Sequence, residues 1–118
     1  MNKIFKVGLI GCGHISETYF RAQEYFNNIR IVKCADINMN SAKKCSIHYN
    51  IEALSVEELL KDKEIEIILN LTIPAAHFEV SKLAIESGKH SYAEKPMAVN
   101  FEDGKKLVEL AKEKNLYI

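Results

Sequence analysis

The sequence has no excess of charge of either sign and no long apolar run. Its 118 residues carry 16 basic and 16 acidic side chains, so the formal net charge is zero, and nothing favours nucleic acid or an anionic membrane as a partner. The apolar runs are far shorter than the roughly 20 residues that span a bilayer. The N-terminal apolar segment contains Lys6 and leads into glycines rather than into a cleavage site. We therefore expect neither a secretory signal nor a membrane anchor.

The sequence also lacks a cysteine framework. Its three cysteines, Cys12, Cys34 and Cys45, are an odd number and include no Cys-x-x-Cys pair. This fits reduced thiols in a cytoplasmic protein better than disulfides or a zinc site, so we predict no metal site. Cys12 as a redox sensor is an alternative, because a helix N-terminus stabilises a thiolate. We prefer the interpretation that all three pack as small side chains.

Chain length and composition predict one compact domain. A chain of 118 residues with 47% hydrophobic and 27% charged residues can bury one core and is too short for two ordinary domains. The apolar residues Leu116, Tyr117 and Ile118 are predicted to start a further strand, and the sequence ends on them without a polar tail. We therefore expect residues 1–118 to be the first domain of a longer protein, cut at a domain edge.

The most informative stretch is residues 6–16, in which an apolar run breaks into closely spaced glycines and then into a helical pattern. Gly11 permits a tight turn at the strand end. Gly13 lets the backbone approach a phosphate where a helix N-terminus presents unpaired N–H groups. Ser16 takes the third position of the glycine fingerprint, where Gly or Ala is usual, and is small enough for close packing. The pattern predicts a pyrophosphate site; the alternative is a glycine turn without a ligand.

The rest of the chain alternates predicted strands with predicted helices. We expect strands at residues 4–10, 30–35, 51–54, 65–71 and 90–93, and helices at 14–26, from Asn38 or Asn40 to about 49, 55–61, 74–88 and 101–114. The spacing of Ser55 and Glu58 is that of a capping box. Alternation of this kind predicts an α/β fold, namely a Rossmann-type doubly wound parallel sheet with helices on both faces, in three αβα layers.

An acidic residue follows the second predicted strand. Asp36 lies 23 residues after Gly13, close to where the fingerprint places an acid that accepts hydrogen bonds from an adenosine ribose. A carboxylate there repels the extra phosphate of NADP and favours NAD. Lys43 and Lys44 are near enough in sequence to neutralise that phosphate, so NADP stays open. The alternative is that Asp36 only starts a turn or caps the next helix.

Two further segments follow predicted strands and should reach the same sheet edge, where open parallel sheets bind ligands. Pro74 suits a helix start, and His77 lies in the first turn of that helix. Lys95 precedes Pro96 and is therefore held in an extended or turn conformation, with its ammonium projecting. The alternatives are an ordinary helix histidine and a solvated lysine paired with Glu94.

These features together resemble the N-terminal nucleotide-binding domain of the Gfo/Idh/MocA oxidoreductases, the group of glucose-fructose oxidoreductase and inositol dehydrogenase. The resemblance covers essentially all 118 residues. It is carried by Gly11-Cys12-Gly13, Asp36, the segment from Thr72 to His77, Gly88-Lys89-His90 and Glu94-Lys95-Pro96. Where many members have Thr-Pro-Asn, this chain has Thr72-Ile73-Pro74.

The resemblance implies an NAD(P)-dependent oxidoreductase that transfers a hydride between the nicotinamide and a hydroxyl or carbonyl of a sugar, cyclitol or sugar-nucleotide substrate. The implied contacts are Gly11, Gly13, His14 and Ile15 at the pyrophosphate, Asp36 at the adenosine ribose, Thr72, Pro74 and His77 on the nicotinamide side, and Glu94 and Lys95 at the nicotinamide ribose and the substrate. Lys95 would orient or polarise the reacting hydroxyl, because an ammonium suits a developing alkoxide.

In that family the proton-transferring residues come from a second domain, which also supplies the substrate-binding sheet and the oligomer contacts. We therefore expect residues 1–118 to bind cofactor without turning over substrate, and the full-length protein to be a homo-oligomer. The competing interpretation is a non-catalytic nucleotide-sensing or CoA-binding module. Such a module needs no lysine at the strand edge, so Glu94-Lys95-Pro96 favours the enzyme. The substrate itself stays open.

Overall fold

Strands and helices alternate strictly along the chain. In the computed structural model, which describes residues 3–118, the strands are β1 (Phe5–Ile10), β2 (Ile29–Ala35), β3 (Glu52–Leu54), β4 (Ile67–Asn70) and β5 (His90–Ala93). The α-helices are α1 (Ser16–Ala22), α2 (Met39–Tyr49), α3 (Val56–Lys61), α4 (Pro74–Glu86) and α5 (Phe101–Glu113). Every strand is followed by a helix, as the sequence predicts.

The strands form one sheet in the order β3-β2-β1-β4-β5. Each neighbouring pair is parallel. The first half of the chain builds outward from β1 to β3, and the second half builds in the opposite direction from β4 to β5. The order therefore reverses between β1 and β4, which is the place where doubly wound sheets bind ligands. The predicted Rossmann-type fold is confirmed.

The central strand β1 is covered on both faces, which explains its continuous apolar run. Val7 and Leu9 pack with Phe20 of α1 and Cys45 of α2 on one face. Ile10 packs on the other face, with residues of α3 and α4. Side chains of one strand alternate between the faces, so these two clusters form separate layers of core. The three-layer αβα architecture follows.

The last helix extends the second layer. Leu107 and Ala111 of α5 pack with Ile85 of α4 in a third buried cluster. Helices α4 and α5 have 13 residues each. Within residues 3–118, no helix combines the length and the apolar character that crossing a membrane requires.

Helix starts follow the local signals in the sequence. The side chain of Asn38, rather than that of Asn40, caps α2, accepting a hydrogen bond from the Asn40 N–H at 3.0 Å. Ser55 and Glu58 form the predicted capping box, with bonds of 3.1 and 2.9 Å. Asn100 caps α5 through its side chain. These caps satisfy N–H groups that the first helical turn leaves without partners.

The predicted helix at residues 14–26 is wrong at both ends. Helix α1 begins at Ser16, because the residues before it form the glycine loop. It ends at Ala22 and tightens into a 3-10 turn at Gln23–Tyr25. The side chain of Gln23 accepts a hydrogen bond from the Ile31 N–H of β2 at 2.9 Å. This tertiary bond holds the turn against the sheet, and helical periodicity gives no sign of it.

The C-terminal residues lie beside β5 without forming the start of a regular strand. The Ser91 N–H donates to the Tyr117 carbonyl at 3.1 Å, and the Tyr117 N–H donates to Nδ1 of His90 at 3.0 Å. The second bond goes to a side chain, so the ladder pattern of a sixth strand is not made here. The predicted strand start at 116–118 is therefore only partly realised.

The loop after α3 is tied to the sheet by two lysines. Lys33 of β2 forms an ion pair with Asp62, and their side chains are only 16% and 17% exposed. Lys33 thereby holds the pKa of Asp62 below its usual value. Lys89 is buried and donates to the carbonyls of Asp62 at 2.6 Å and Ile65 at 2.9 Å. Burial lowers the pKa of Lys89. Both lysines therefore serve the fold.

Candidate functional site

The segments predicted to bind a cofactor meet at one edge of the sheet. The glycine loop begins at Gly11 after β1, Asp36 follows β2, Thr72 lies just beyond β4 and Glu94 follows β5. Since β1 pairs with both β2 and β4, the glycine loop lies between Asp36 and Thr72. The parallel sheet thus brings together residues from four separate stretches of sequence.

Gly11 is the point at which the loop crosses the end of β4. Its φ is +105°, and a Cβ there would lie 2.5 Å from the carbonyl oxygen of Leu71. Its N–H donates to the Ala35 carbonyl of β2 at 2.9 Å. The backbone conformation and the close approach both require glycine. The predicted tight turn is therefore confirmed by geometry.

Gly13 and the two residues after it offer an anion site. A Cβ at Gly13 would meet no atom of residues 3–118 within 4 Å, so the loop is open on that side. Among residues 3–118, the N–H groups of Gly13, His14 and Ile15 have no protein acceptor. Gly13 and His14 line a cavity of about 420 Å³. Open space and three available N–H donors fit a pyrophosphate, whose oxygens are acceptors.

Serine in the third fingerprint position is fully accommodated. Ser16 is buried, and its hydroxyl donates to the Gly13 carbonyl at 2.6 Å. Its backbone N–H bonds to the same carbonyl at 3.1 Å. This pair of bonds closes the loop at the start of α1. The departure from Gly or Ala therefore strengthens the loop rather than disrupting it.

Asp36 braces the glycine loop. Its Oδ2 accepts a hydrogen bond from the Cys12 N–H, and its Oδ1 accepts one from the Asn38 N–H, both at 2.8 Å. The second bond is the turn-starting role that the sequence leaves open as an alternative. Each carboxylate oxygen has a further lone pair, so the geometry leaves the ribose role possible and fixes the carboxylate beside the loop.

The two lysines of α2 differ in their relation to this loop. Lys44 lines the same cavity as Gly13 and His14. Lys43 is exposed and does not line it. Of the two lysines, Lys44 is therefore the one that lies beside the glycine loop.

A buried asparagine organises the end of β4, and sequence reasoning missed it. Asn70 is fully buried. Its Nδ2 donates to the His77 carbonyl and to the Ser81 hydroxyl, both at 2.9 Å. Its Oδ1 accepts from the Thr72 hydroxyl at 2.7 Å. The available signal was one amide side chain within the apolar run at 65–71.

His77 does not face open space. The residue is 1% exposed, with Nε2 2.7 Å from the Thr72 carbonyl oxygen and Nδ1 2.6 Å from the Pro96 carbonyl oxygen. Both ring nitrogens lie at hydrogen-bond distance from backbone carbonyls, so His77 links the segment after β4 to the segment after β5. The expected place of His77 on the nicotinamide side stays a prediction. Pro74 begins α4, as predicted.

The segment after β5 presents one anchored and one free side chain. Glu94 accepts a hydrogen bond from the hydroxyl of Tyr19 on α1. Burial and the nearby Glu94 carboxylate raise the pKa of Tyr19, so the phenol stays protonated and donates. Lys95 is exposed, and within residues 3–118 it makes no ion pair with Glu94. The alternative of a Glu94–Lys95 pair is therefore not observed. The Lys95–Pro96 peptide bond is cis.

The three cysteines also meet beside the glycine loop. The sulfur atoms of Cys12, Cys34 and Cys45 lie within 4.8 Å of one another. Hydrogen bonds from the other two thiols lower the pKa of Cys45, and the same coupling raises the pKa of Cys12. The cluster was not predicted, because its members are far apart in sequence.

Comparisons with known proteins identify relatives of this arrangement. The family described as "Oxidoreductase family, NAD-binding Rossmann fold" matches residues 5–118. Inositol 2-dehydrogenase of Salmonella paratyphi B is 29% identical over 114 residues, which cover 93% of this chain and 34% of that protein. UDP-N-acetylglucosamine 3-dehydrogenase of Acidithiobacillus ferrooxidans is also 29% identical over 114 residues, covering 96% of this chain and 35% of that protein.

A solved structure supports the same relationship. The crystal structure of KijD10, a 3-ketoreductase from Actinomadura kijaniata in complex with NADP and TDP-benzene, has a TM-score of 0.88 and 26% identity to this chain. The match covers 97% of this chain and 36% of that one. The chain therefore spans about a third of the length of the relatives that it matches.

Proposed function

Because this chain belongs to the Gfo/Idh/MocA oxidoreductase family, which has an NAD-binding Rossmann fold, we propose that it is the cofactor-binding domain of an NAD(P)-dependent oxidoreductase. The glycine loop is the observation that carries the proposal. Gly13, His14 and Ile15 offer three N–H groups that have no acceptor within residues 3–118, beside the open space at Gly13. A dinucleotide pyrophosphate supplies the acceptors and the negative charge that this loop suits.

The adenosine end of the cofactor lies against Asp36 in this proposal. The carboxylate is held by the Cys12 and Asn38 N–H groups, and its remaining lone pairs accept hydrogen bonds from the ribose hydroxyls. Its negative charge disfavours a ribose phosphate, so NAD is the expected cofactor. Lys44, which lines the cavity, is the residue that would receive the phosphate of NADP.

The nicotinamide end lies along the segments after β4 and β5. Thr72 and Pro74 form one wall, and Glu94, anchored by Tyr19, contacts the nicotinamide ribose. His77 is a positioning residue that holds the Thr72 and Pro96 carbonyls together. Its loss would move both walls without removing a direct cofactor contact.

Lys95 is the residue that we place at the substrate. When bound, the nicotinamide accepts or donates the hydride. The Lys95 ammonium is exposed at the same edge, where it can donate a hydrogen bond to the substrate oxygen and stabilise the charge that develops there as the hydroxyl loses its proton. The group that takes that proton belongs to a second domain, outside residues 1–118.

The substrate class and setting of the whole protein are proposals too. Relatives are named for inositol and for UDP-N-acetylglucosamine, so we propose a cyclitol, sugar or sugar-nucleotide substrate. We also propose a cytoplasmic homo-oligomer, since three unpaired thiols suit a reducing compartment. Residues 1–118 alone should bind cofactor and show no dehydrogenase turnover; measurable turnover by this chain would contradict the two-domain proposal.

Calorimetric titration of the folded chain with NADH and with NADPH tests cofactor binding. Wild type should bind NADH more tightly. Asp36→Asn removes the negative charge at nearly the same size, and it exchanges one of the two oxygens that accept a backbone N–H for an NH2 group. It should lower the NADH-over-NADPH preference by about 10- to 150-fold, since hydrogen bonds to charged groups contribute about 1.5–3 kcal/mol. Glu102→Gln changes an exposed residue of α5; it is the matched control and should leave the preference unchanged.

Three results would contradict the proposal. Binding of neither dinucleotide by a chain with a cooperative unfolding transition would contradict the site. Binding of coenzyme A in preference to both would favour the non-catalytic module. A preference for NADPH that Asp36→Asn leaves unaltered would contradict the ribose role of Asp36.

A further inference from the structure

The cysteine cluster lies at the junction of three elements. Cys12 is in the glycine loop, Cys34 is in β2 and Cys45 is in the middle of α2. All three are free thiols; Cys34 and Cys45 are buried, and Cys12 is partly exposed. Their sulfur atoms lie within 4.8 Å of one another. The fold therefore directs three sulfur ligands from distant parts of the sequence toward one point.

Three sulfur atoms around one point are the donor set of a thiophilic metal ion. Thiolates select Zn²⁺, Cu(I) and related closed-shell cations over Mg²⁺ or Ca²⁺. A Zn–S bond of about 2.3 Å in tetrahedral geometry separates the sulfurs by about 3.8 Å. The sulfur–sulfur distances in this structure are up to 4.8 Å, so each would have to shorten by about 1 Å or less to reach that geometry.

The side of the cluster that faces the cavity leaves room for a fourth ligand. Cys12 and Cys45 line the cavity of about 420 Å³ beside the glycine loop. Three thiolates around a divalent ion carry a net charge of −1. Lys44 and His48 line the same cavity, so two basic side chains lie near that charge. An ion can enter from this side, and a water molecule can complete its coordination.

We propose that Cys12, Cys34 and Cys45 form a three-sulfur site for a closed-shell thiophilic cation of the Zn²⁺ and Cu(I) class. Binding converts each ligating thiol to a thiolate and releases its proton to solvent. A disulfide would use only two of the three sulfurs and would need an oxidant. The bound ion ties the glycine loop to β2 and α2, and so fixes Cys12, whose N–H donates to Asp36. This proposal departs from the sequence expectation of no metal.

Titration of reduced, metal-free protein with Cd²⁺, followed by Zn²⁺ competition, tests the proposal. Cd²⁺ reports sulfur ligation through its ultraviolet thiolate charge-transfer band. We expect one ion per chain, displaced by Zn²⁺ at the same stoichiometry, and a raised unfolding midpoint for the loaded protein. This readout does not depend on dinucleotide binding, so its failure is distinguishable from failure of the proposed function.

Variants establish which atoms bind the ion. Cys12→Ser, at the partly exposed position, should fold and should lower Cd²⁺ affinity by more than about 100-fold, because losing even an outer-shell partner costs about 10–100-fold. Cys45→Ala should have the same effect from the helix side. Ser41→Ala changes another residue of the same cavity and should leave affinity unchanged. Metal-free unfolding curves of all variants verify that each is folded.

Two results would overturn the proposal. The first is a folded wild-type protein that shows no thiolate band at stoichiometric Cd²⁺, which would mean that the thiols only pack in the core. The second is Cd²⁺ binding that persists unchanged in folded Cys12→Ser and Cys45→Ala, which would place the ion elsewhere.

Discussion

Replacing Gly11 by alanine should cost the domain much of its free energy of unfolding. A Cβ at residue 11 would lie 2.5 Å from the Leu71 carbonyl oxygen and 2.9 Å from the Thr72 nitrogen, backbone atoms that no rotamer change can move. The residue also has a φ of +105°, and strained backbone of this kind costs about 1–3 kcal/mol. Overpacking adds about 1–3 kcal/mol. The summed loss of about 2–6 kcal/mol compares with a total stability of about 5–15 kcal/mol.

Gly13→Ala is the matched control, since the same substitution two residues later meets different surroundings. A Cβ there has no neighbour within 4 Å in the part of the chain that the structure describes, so the free energy of unfolding should change by less than about 0.5 kcal/mol. The methyl group would instead occupy the space in which we place a phosphate. NADH affinity should therefore fall about 5- to 150-fold, corresponding to an overpacking cost of about 1–3 kcal/mol.

Urea unfolding monitored by circular dichroism measures the first effect, and calorimetric titration with NADH measures the second. We expect the two substitutions to affect different properties: Gly11→Ala should lower the free energy of unfolding, and Gly13→Ala should lower the affinity for NADH. A Gly11→Ala protein as stable as wild type would refute the close crossing of loop and β4. A Gly13→Ala protein that binds NADH like wild type would refute the placement of the phosphate.

Two further predictions concern stability. Lys33 lowers the pKa of Asp62, so the ion pair stabilises the fold fully above the unfolded-state pKa of about 3.9, and this stabilisation is lost as the pH falls through the folded-state pKa. Asp62→Asn should lower the free energy of unfolding at pH 7 by about 1 kcal/mol. It should also weaken the dependence of the urea midpoint on pH between pH 6 and 3. Glu57→Gln, in an exposed pair, is the control, and an unchanged profile in Asp62→Asn would contradict the assignment. Ser55→Ala removes the cap of α3 and should lower the free energy of unfolding by about 1 kcal/mol in the same assay, whereas Ser55→Thr should retain most of that stabilisation. Equal stability of wild type, Ser55→Ala and Ser55→Thr would contradict the capping role.

Features set by neighbouring residues could be predicted from sequence. The Ser55 capping box needs only residues within one helical turn, and its two bonds form as expected. The apolar run of β1 predicts burial on both faces, which Leu9 and Ile10 show by packing in different clusters. The order of strands and helices then determines the sheet edge at which Gly11 and Asp36 meet.

Features set by distant residues could not be predicted. His77 looks like an ordinary helix residue until Pro96 lies against it, and that contact spans 19 positions. Asn70 likewise gains its role from Ser81 and the His77 carbonyl once β4 and α4 pack together. The end of α1 depends on a bond between Gln23 and β2. Periodicity describes one element at a time, so contacts between elements are outside what it predicts.

The cysteines illustrate the same limit. Spacing rules recognise metal sites whose ligands come in close pairs, and Cys12, Cys34 and Cys45 form no such pair. Parallel pairing of β1 with β2 places Cys34 opposite Leu9. Because Leu9 is only three residues before Cys12 in the sequence, Cys12 lies near Cys34. Helix α2 then returns Cys45 to the same region. The cluster is a product of the topology and not of any motif.

The most direct test of the account is to map dinucleotide binding onto the backbone by NMR of the ¹⁵N-labelled chain during NADH titration. We predict that the amide signals of Gly13, His14 and Ile15 shift most as saturation is reached, with smaller changes at Asp36 and Thr72. Signals of α5, on the far side of α4, should stay in place. Saturable NADH binding that leaves the three loop amides unshifted would contradict the central claim that this loop holds the pyrophosphate.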